Sequence, residues 1–320
     1  MTARRGAWTA LVAALSGKDF LSIRMSFGKF DLEFWERPGL WCSDEELKAM
    51  TAELRTVAAA GQRGKPVPQY GVLLGDRKDL SRRIITIAYD REKKTAVGFN
   101  AIVALELDVG VHTETVLHLG LTYIDPSCQG QALPALLYGA STFLTFFKGG
   151  LRAFWVSNVT QVPSVIGKFA STYSGAYPSP VIPSRQTFTH LTLARQIMRT
   201  ERTAFGVADD APYDEVRSII LNAYTGGSDE LKKTFAEAPK HRDPRVNAWC
   251  EKELDYARGD DVLQLGRCSL GTAVRFLREK LPRGSGPQLM YQAVVLLLLG
   301  TVIPIIRWLI PAAAKAQPRT

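Results

Sequence analysis

Residues 114–147 read ETVLHLGLTYID, then PSCQGQA, then LPALLYGASTFLTFF. The first piece is a β-rich run that ends in Tyr123, Ile124 and Asp125 and breaks at Pro126, which has no backbone donor for a further ladder position. The second passes through Gly130 and the small Ala132. The third, Leu133 to Phe147, is apolar at helical spacing and closes at Gly149 and Gly150. Any fold of this chain must therefore bring a strand end, a small-residue loop and a helix N-terminus to one place. The unpaired N–H groups and positive dipole end of such a helix make an anion site.

The flanking pattern supplies the context. CSDEELKAMTAELRTVAAAG has Ser43 as an N-cap, acids in its first turn and a stop at Gly61, which predicts a helix. RRIITIAYD alternates and is β-branched, REKKT turns, and AVGFNAIVALEL is a second strand, so the three predict a hairpin. ETVLHLGLTYID is the third strand, LRAFWVSN the next, and a helix follows near Val162 to Tyr173. Further on, RQTFTHLTLARQIMRTERTAFG reads as helix, VRSIILNAY and VLQLGRC as late strands, and LGTAVRFLREKL as an amphipathic helix. This order is α/β in class.

Leu119 to Leu133 in this element order resembles the coenzyme A signature of the GNAT superfamily of N-acetyltransferases, in which R/Q-x-x-G-x-G/A joins a central strand to the next helix. Here the pattern is Ser127, Cys128, Gln129, Gly130, Gln131 and Ala132, with Ser127 where the family usually has Arg or Gln and Gln129 close by. The resemblance implies a mixed, mostly antiparallel sheet flanked by helices and covers about Glu45 to Tyr177. It implies acetyl-CoA or a longer acyl-CoA as co-substrate, held at its pyrophosphate by the backbone amides of Gln129, Gly130, Gln131, Ala132 and Leu133. Leu121 to Tyr123 would line the pantetheine arm, Asn158 would be the polar residue near the cofactor, and Tyr173 would protonate the leaving thiolate.

The chemistry of acyl transfer asks for a deprotonated amine, a polarised thioester and a proton for the thiolate. Glu106, His118 and Glu114 are candidate bases on the central strands, each with an alternative reading as a structural or solvated group. Cys128 has no required role, because direct transfer forms no covalent enzyme intermediate. The aromatics Phe143, Phe146 and Phe147 read as helix-face core. Related folds also use acyl-carrier protein, whose acidic surface would suit a basic chain.

The net charge is +9, but the residues from Leu281 onward carry four basic and no acidic side chains, leaving +5 for residues 1–280. With no zinc-finger spacing or basic helix stripe, nucleic acid is not an expected partner. Cys42, Cys128, Cys250 and Cys268 form no CxxC pair and read as free thiols. His112, His118, His190 and His241 show no ligand spacing, so no metal is expected.

The two ends differ from the middle. Residues 1–43 read as an N-terminal extension with a short amphipathic helix around Ala7 to Leu15. Residues 44–280 form the acyltransferase-like domain and 281–288 (LPRGSGPQ) a linker. Residues 289–314 form a hydrophobic helix that predicts a C-terminal membrane anchor contacting lipid. Arg307 and Pro304 interrupt it, so a re-entrant hairpin, a helix lying in the interface and a buried core helix are the alternatives. Arg275, Arg278, Lys280 and Arg283 precede it and put the folded body on the cytoplasmic side. The function expected is a membrane-associated N-acyltransferase. The alternative is a non-catalytic membrane module that binds acyl-CoA or lipid.

Overall fold

The computed structural model describes residues 22–110 and 112–279, with isolated positions between 287 and 305. Strands β1 (Ser22–Phe27) and β2 (Phe30–Glu36) are followed by helix α1 (Asp44–Gln62) and a short α2 (Arg77–Leu80). Strands β3 (Arg83–Asp90), β4 (Ala96–Asp108) and β5 (Thr113–Ile124) lead to α3 (Leu133–Lys148). Then come β6 (Phe154–Thr160), α4 (Pro163–Thr172), β7 (Ser174–Tyr177), α5 (Phe188–Thr200), β8 (Tyr213–Asp214) and β9 (Ile219–Ile220). Helix α6 (Pro244–Glu253), β10 (Asp261–Cys268) and α7 (Leu270–Glu279) complete the described chain.

Ten strands make one mixed sheet in the order β1-β2-β3-β4-β5-β6-β10-β9-β8, with β7 also on β10. All its pairings are antiparallel except β5 with β6. The mixed, mostly antiparallel sheet flanked by helices matches the expected class. Strand β10 returns from the far end of the chain to lie between β6 and β7. Helices α1 and α5 cover one face; α3, α4 and α7 cover the other.

Local chemistry explains these elements. Ser43 closes a capping box with Glu46 at the start of α1, and three acids occupy its first turn. Strands β3 and β4 are buried on both faces, which needs their near-continuous apolar runs. The turn between β1 and β2 uses Gly28 at a φ of 56°.

Three expectations change. The boundary drawn at 43/44 separates residues that share one sheet, because β2 pairs along β3 from Phe30↔Asp90 to Glu36↔Ile84. The strand expected over VRSIILNAY shortens to Ile219–Ile220, because Ser218 (φ 56°) and Asn222 (φ 51°) adopt left-handed backbone on either side. The helix expected to include Tyr173 ends at Thr172, and Tyr173 is its extended C-cap. The N-terminal helix, the 281–288 linker and the 289–314 anchor lie outside the described residues, apart from the isolated positions. Among the described residues no helix is long and apolar enough to cross a membrane.

Candidate functional site

The register of β4 against β5 shifts between Asn100↔Thr122 and Ile102↔Leu119, so β5 carries one extra residue at Gly120–Leu121. Glycine is required there, since a Cβ at residue 120 would sit 2.4 Å from the Ala101 carbonyl oxygen. The bulge reverses the side-chain alternation. Leu117 and Leu119 pack under α3, whereas Leu121 and Tyr123 turn to the α1 face.

The same bulge marks where β5 leaves its other neighbour. Parallel pairing with β6 runs only from Val116↔Trp155 to Leu119↔Asn158. Beyond it β5 continues to Ile124 along β4 and β6 to Thr160 along β10 without pairing to each other, so the two strands part toward their C-terminal ends. Tyr138 of α3 reaches the half-buried Gly120 at the bulge of β5, its hydroxyl donating to the Gly120 carbonyl at 2.6 Å. Burial pushes that hydroxyl up to about 12.

The loop between β5 and α3 stands beside this parting. Asp125 Oδ1 accepts from the Ser127 amide at 2.9 Å and from the Ser127 hydroxyl at 2.6 Å. These bonds hold the Asp125 carboxyl below its ordinary range. The Cys128 and Gln129 amides are used inside the turn, on Asp125 and Pro126 carbonyls. Gly130 (φ 78°) and Ala132 (φ 55°) are left-handed, and Ala132 is an N-cap without a side-chain cap. The amides of Gly130, Gln131, Ala132 and Leu133 have no hydrogen-bond partner among the described residues. No acid occupies the first turn of α3. Consecutive free amides in left-handed backbone at a helix start form an anion-binding nest. At its rim Arg63, just past α1, donates to the Gln129 side chain at 2.6 Å.

The sequence-chosen residues divide sharply. Gly130, Gln131, Ala132 and Leu133 line the nest, while the Gln129 amide is already spent on Pro126 and only its side chain faces the rim. Leu121 and Tyr123 lie on the arm of β5 beyond the bulge. Asn158 points elsewhere, donating to Gln264 at 3.4 Å in the β6–β10 seam. Tyr173 is buried against Phe169, with ring centroids 4.8 Å apart, and burial lifts its hydroxyl far above the ordinary value.

The candidate bases do not converge on the parting. Glu106 sits opposite Thr115, five residues before Gly120 and so about 16 Å down the strand. It is held there by Arg37 at 2.9 Å and the Thr115 hydroxyl at 2.8 Å. His112 lies 3.3 Å from Glu114 at the same remote end. His118 is buried with Nδ1 3.0 Å from the Ser157 hydroxyl and its ring stacked on Phe205. Burial, with the Arg83 charge behind it, pushes the imidazole down to about 3, so it stays neutral at pH 7. Arg63 and Tyr138 were not singled out: one follows a helix stop and the other sits inside an apolar helical run. Among the described residues no group of His, Cys, Asp or Glu could hold a metal ion.

No protein-family model and no curated protein matches the sequence. Among solved structures, the ribosomal-protein-S5-alanine acetyltransferase from Vibrio fischeri is similar at 8% identity and a TM-score of 0.29, over 42% of this chain and 73% of that one. A mutant of the spermidine N-acetyltransferase SpeG from Vibrio cholerae gives 13% and 0.26, over 43% and 74%. A mutant AtaT toxin bound to the C-terminus of the antitoxin AtaR and acetyl-CoA gives 13% and 0.23, over 41% and 76%. At these scores the likeness adds nothing to the geometry.

Proposed function

We propose that the chain is an N-acyltransferase with a GNAT-like fold that moves an acetyl or longer acyl group from acyl-CoA to an amine. The observation that carries this reading is the parting of β5 and β6 at a glycine bulge, next to a nest of free amides. A parallel seam that opens this way leaves one strand edge free for an extended ligand. In this reading the coenzyme pyrophosphate accepts from Gly130, Gln131, Ala132 and Leu133, with Arg63 adding charge at the rim. The pantetheine arm runs along the β5 edge past Tyr123 and Leu121, which puts the thioester near Gly120. Tyr138, rather than the core residue Tyr173, is then the hydroxyl placed to protonate the departing thiolate.

Acyl-carrier protein is a second possible donor, favoured by the basic charge. Membrane association through residues 289–314, with the domain on the cytoplasmic side, is part of the proposal. Of the described positions in that stretch, Met290, Tyr291, Val294, Leu298 and Ile305 are exposed. The non-catalytic reading keeps one specific support: Glu106 is held by Arg37 and the Thr115 hydroxyl, and His118 and Tyr173 are buried.

Thermal unfolding of the full-length protein in detergent, with CoA, acetyl-CoA or palmitoyl-CoA, tests the site. A ligand that binds only the native state raises Tm. Acetyl-CoA is expected to raise it, and Gly130→Glu to abolish the rise. No rise with any of the three sinks the coenzyme reading. Release of CoA thiol on adding amines separates enzyme from binding module.

A further inference from the structure

Asp261 opens β10 with 5% of its surface exposed. Among the described residues the one side chain that donates to its carboxylate is Tyr224, 2.9 Å from Oδ1. The ionisable groups around it are Tyr224 from the segment after β9, Tyr70 from the segment after α1, Tyr256 from the turn after α6, and Asp260 beside it. Asp260 is already neutralised by Arg258, at 2.6 and 2.7 Å. No described cation faces Asp261. Buried carboxylates are paired as a rule, because an isolated one loses its hydration without compensation. Burial pushes this one up to about 7, against the Tyr224 bond and with help from Asp260.

Its place in the sheet sets it beside the end of β6. Val262 pairs with Thr160, so Asp261 stands across from Gln161, one residue past the end of β6 and at the open end of the parting. Gln161 is fully buried, yet neither atom of its side-chain amide has a partner. On the other arm the buried Tyr123 hydroxyl is also unpartnered, as is Nε2 of Gln62 at the end of α1. Burial raises the Tyr70 hydroxyl far above its ordinary value, with Tyr123 and Asp261 adding to the rise and Arg83 opposing it. By alternation along β10, Asp261 projects to the same face as Leu263 and Leu265, where α5 packs.

We propose that Asp261 binds the ammonium group of the acyl acceptor and takes up one of its protons, with Tyr224 orienting the carboxylate. This assignment rests on the parting being the thioester site. The acceptor enters as an ammonium and ion-pairs with Asp261. One proton passes to the carboxylate and frees the nitrogen lone pair, which attacks the thioester carbon. The C–N bond forms and the C–S bond breaks; the remaining excess nitrogen proton goes to the thiolate, and Asp261 returns its proton to water. An uncompensated carboxylate selects amines over alcohols, and the unpaired Gln161 and Tyr123 groups favour an acceptor with polar atoms beside the amine.

Full-length protein, Asp261→Asn and Tyr224→Phe are compared in two independent measurements. The first is the Tm rise with acetyl-CoA, expected to be equal in all three. The second is CoA thiol release with n-butylamine, 1,4-diaminobutane or glycinamide, with n-butanol as the uncharged match. Asp261→Asn is expected to raise the amine KM at least tenfold and to remove the rise of kcat/KM with pH near 7. Tyr224→Phe moves that rise to higher pH, since the lost bond had favoured the carboxylate. Retained acetyl-CoA stabilisation with an unchanged amine KM and pH profile in Asp261→Asn overturns the assignment. If acetyl-CoA fails to stabilise even the parent protein, the coenzyme reading falls separately. The amines alone then decide: a Tm rise in the parent but not in Asp261→Asn upholds the amine site, and no rise in either overturns it.

Discussion

Strand β5 pairs with β4 at ten register positions and with β6 at four. Along the first seam Phe99, Ala101, Ile102 and Leu105 are fully buried, and the antiparallel ladder resumes on both sides of the bulge. Along the second the ladder stops at the bulge. A tyrosine side chain takes the Gly120 carbonyl, and buried polar atoms on both arms go unpaired. One strand thus pairs along nearly its whole length on one edge and stops pairing at Leu119 on the other. Unsatisfied polar groups gather at the edge where the fold leaves hydrogen bonds unmade.

That contrast can be broken in graded ways. The largest expected effect is on the closed seam: Leu105→Ala, at a fully buried position opposite Val116, should lower stability by about 2–5 kcal/mol in denaturant unfolding. It should leave acetyl-CoA affinity of the folded protein within about twofold, as a packing role alone implies. A parallel collapse of affinity would mean the two edges are not separable.

Next is a pH effect from two buried groups, His118 and Asp261. His118 is neutral when folded down to about pH 3 but charged when unfolded below its ordinary 6.5, so stability falls with acid over that interval. Asp261, raised from 3.8 to about 7, does the opposite: the folded state holds an extra proton between those values, and stability falls as pH rises. From roughly pH 4 to 6.5 the two proton counts cancel. Asp261→Asn should therefore uncover an acid lability of about 1.4 kcal/mol per pH unit, read from denaturant unfolding at several pH values. A profile identical to the parent would mean one of these burials is misassigned.

Gly120→Ala is expected to cost about 1–3 kcal/mol, because its Cβ meets the Ala101 carbonyl and the bulge must shift. Acetyl-CoA stabilisation should weaken with it, which thermal unfolding reads directly. Gly130→Glu meets no atom within 4 Å, so its cost is only the left-handed backbone, about 1–2 kcal/mol. Its added charge should nonetheless abolish the acetyl-CoA response. Smallest is Arg63→Ala: coenzyme affinity a few-fold weaker, with a shallower salt dependence in titration, and little change in stability.

The elements most legible in sequence are those built by local periodicity. Strands β3 to β6, helices α1, α3, α5 and α7, and the loop into α3 all announce themselves through alternation, caps and glycines. Strands β1 and β2 carried the same signal, in SIRMSF and FDLEFWE around Gly28, but as the lead-in to α1 they read as an extension. The nest was legible because its donors are successive amides of one loop. Glu106, Tyr173 and Asn158 were not assignable, since a polar residue on a strand or helix end looks the same whether it faces a cleft, a salt bridge or a seam.

The run GDDVLQLGRC makes the division plain. By itself the sequence determined a turn, a strand and two adjacent carboxylates, because backbone propensity and alternation act over a few residues. Only the tertiary structure decided that Asp260 meets Arg258 while Asp261 is buried, bonded to Tyr224 and across from Gln161. Desolvation and ion pairing depend on which distant segments arrive at a side chain, and in this protein those segments lie up to two hundred positions away, at Tyr70 after α1 and Gln161 after β6.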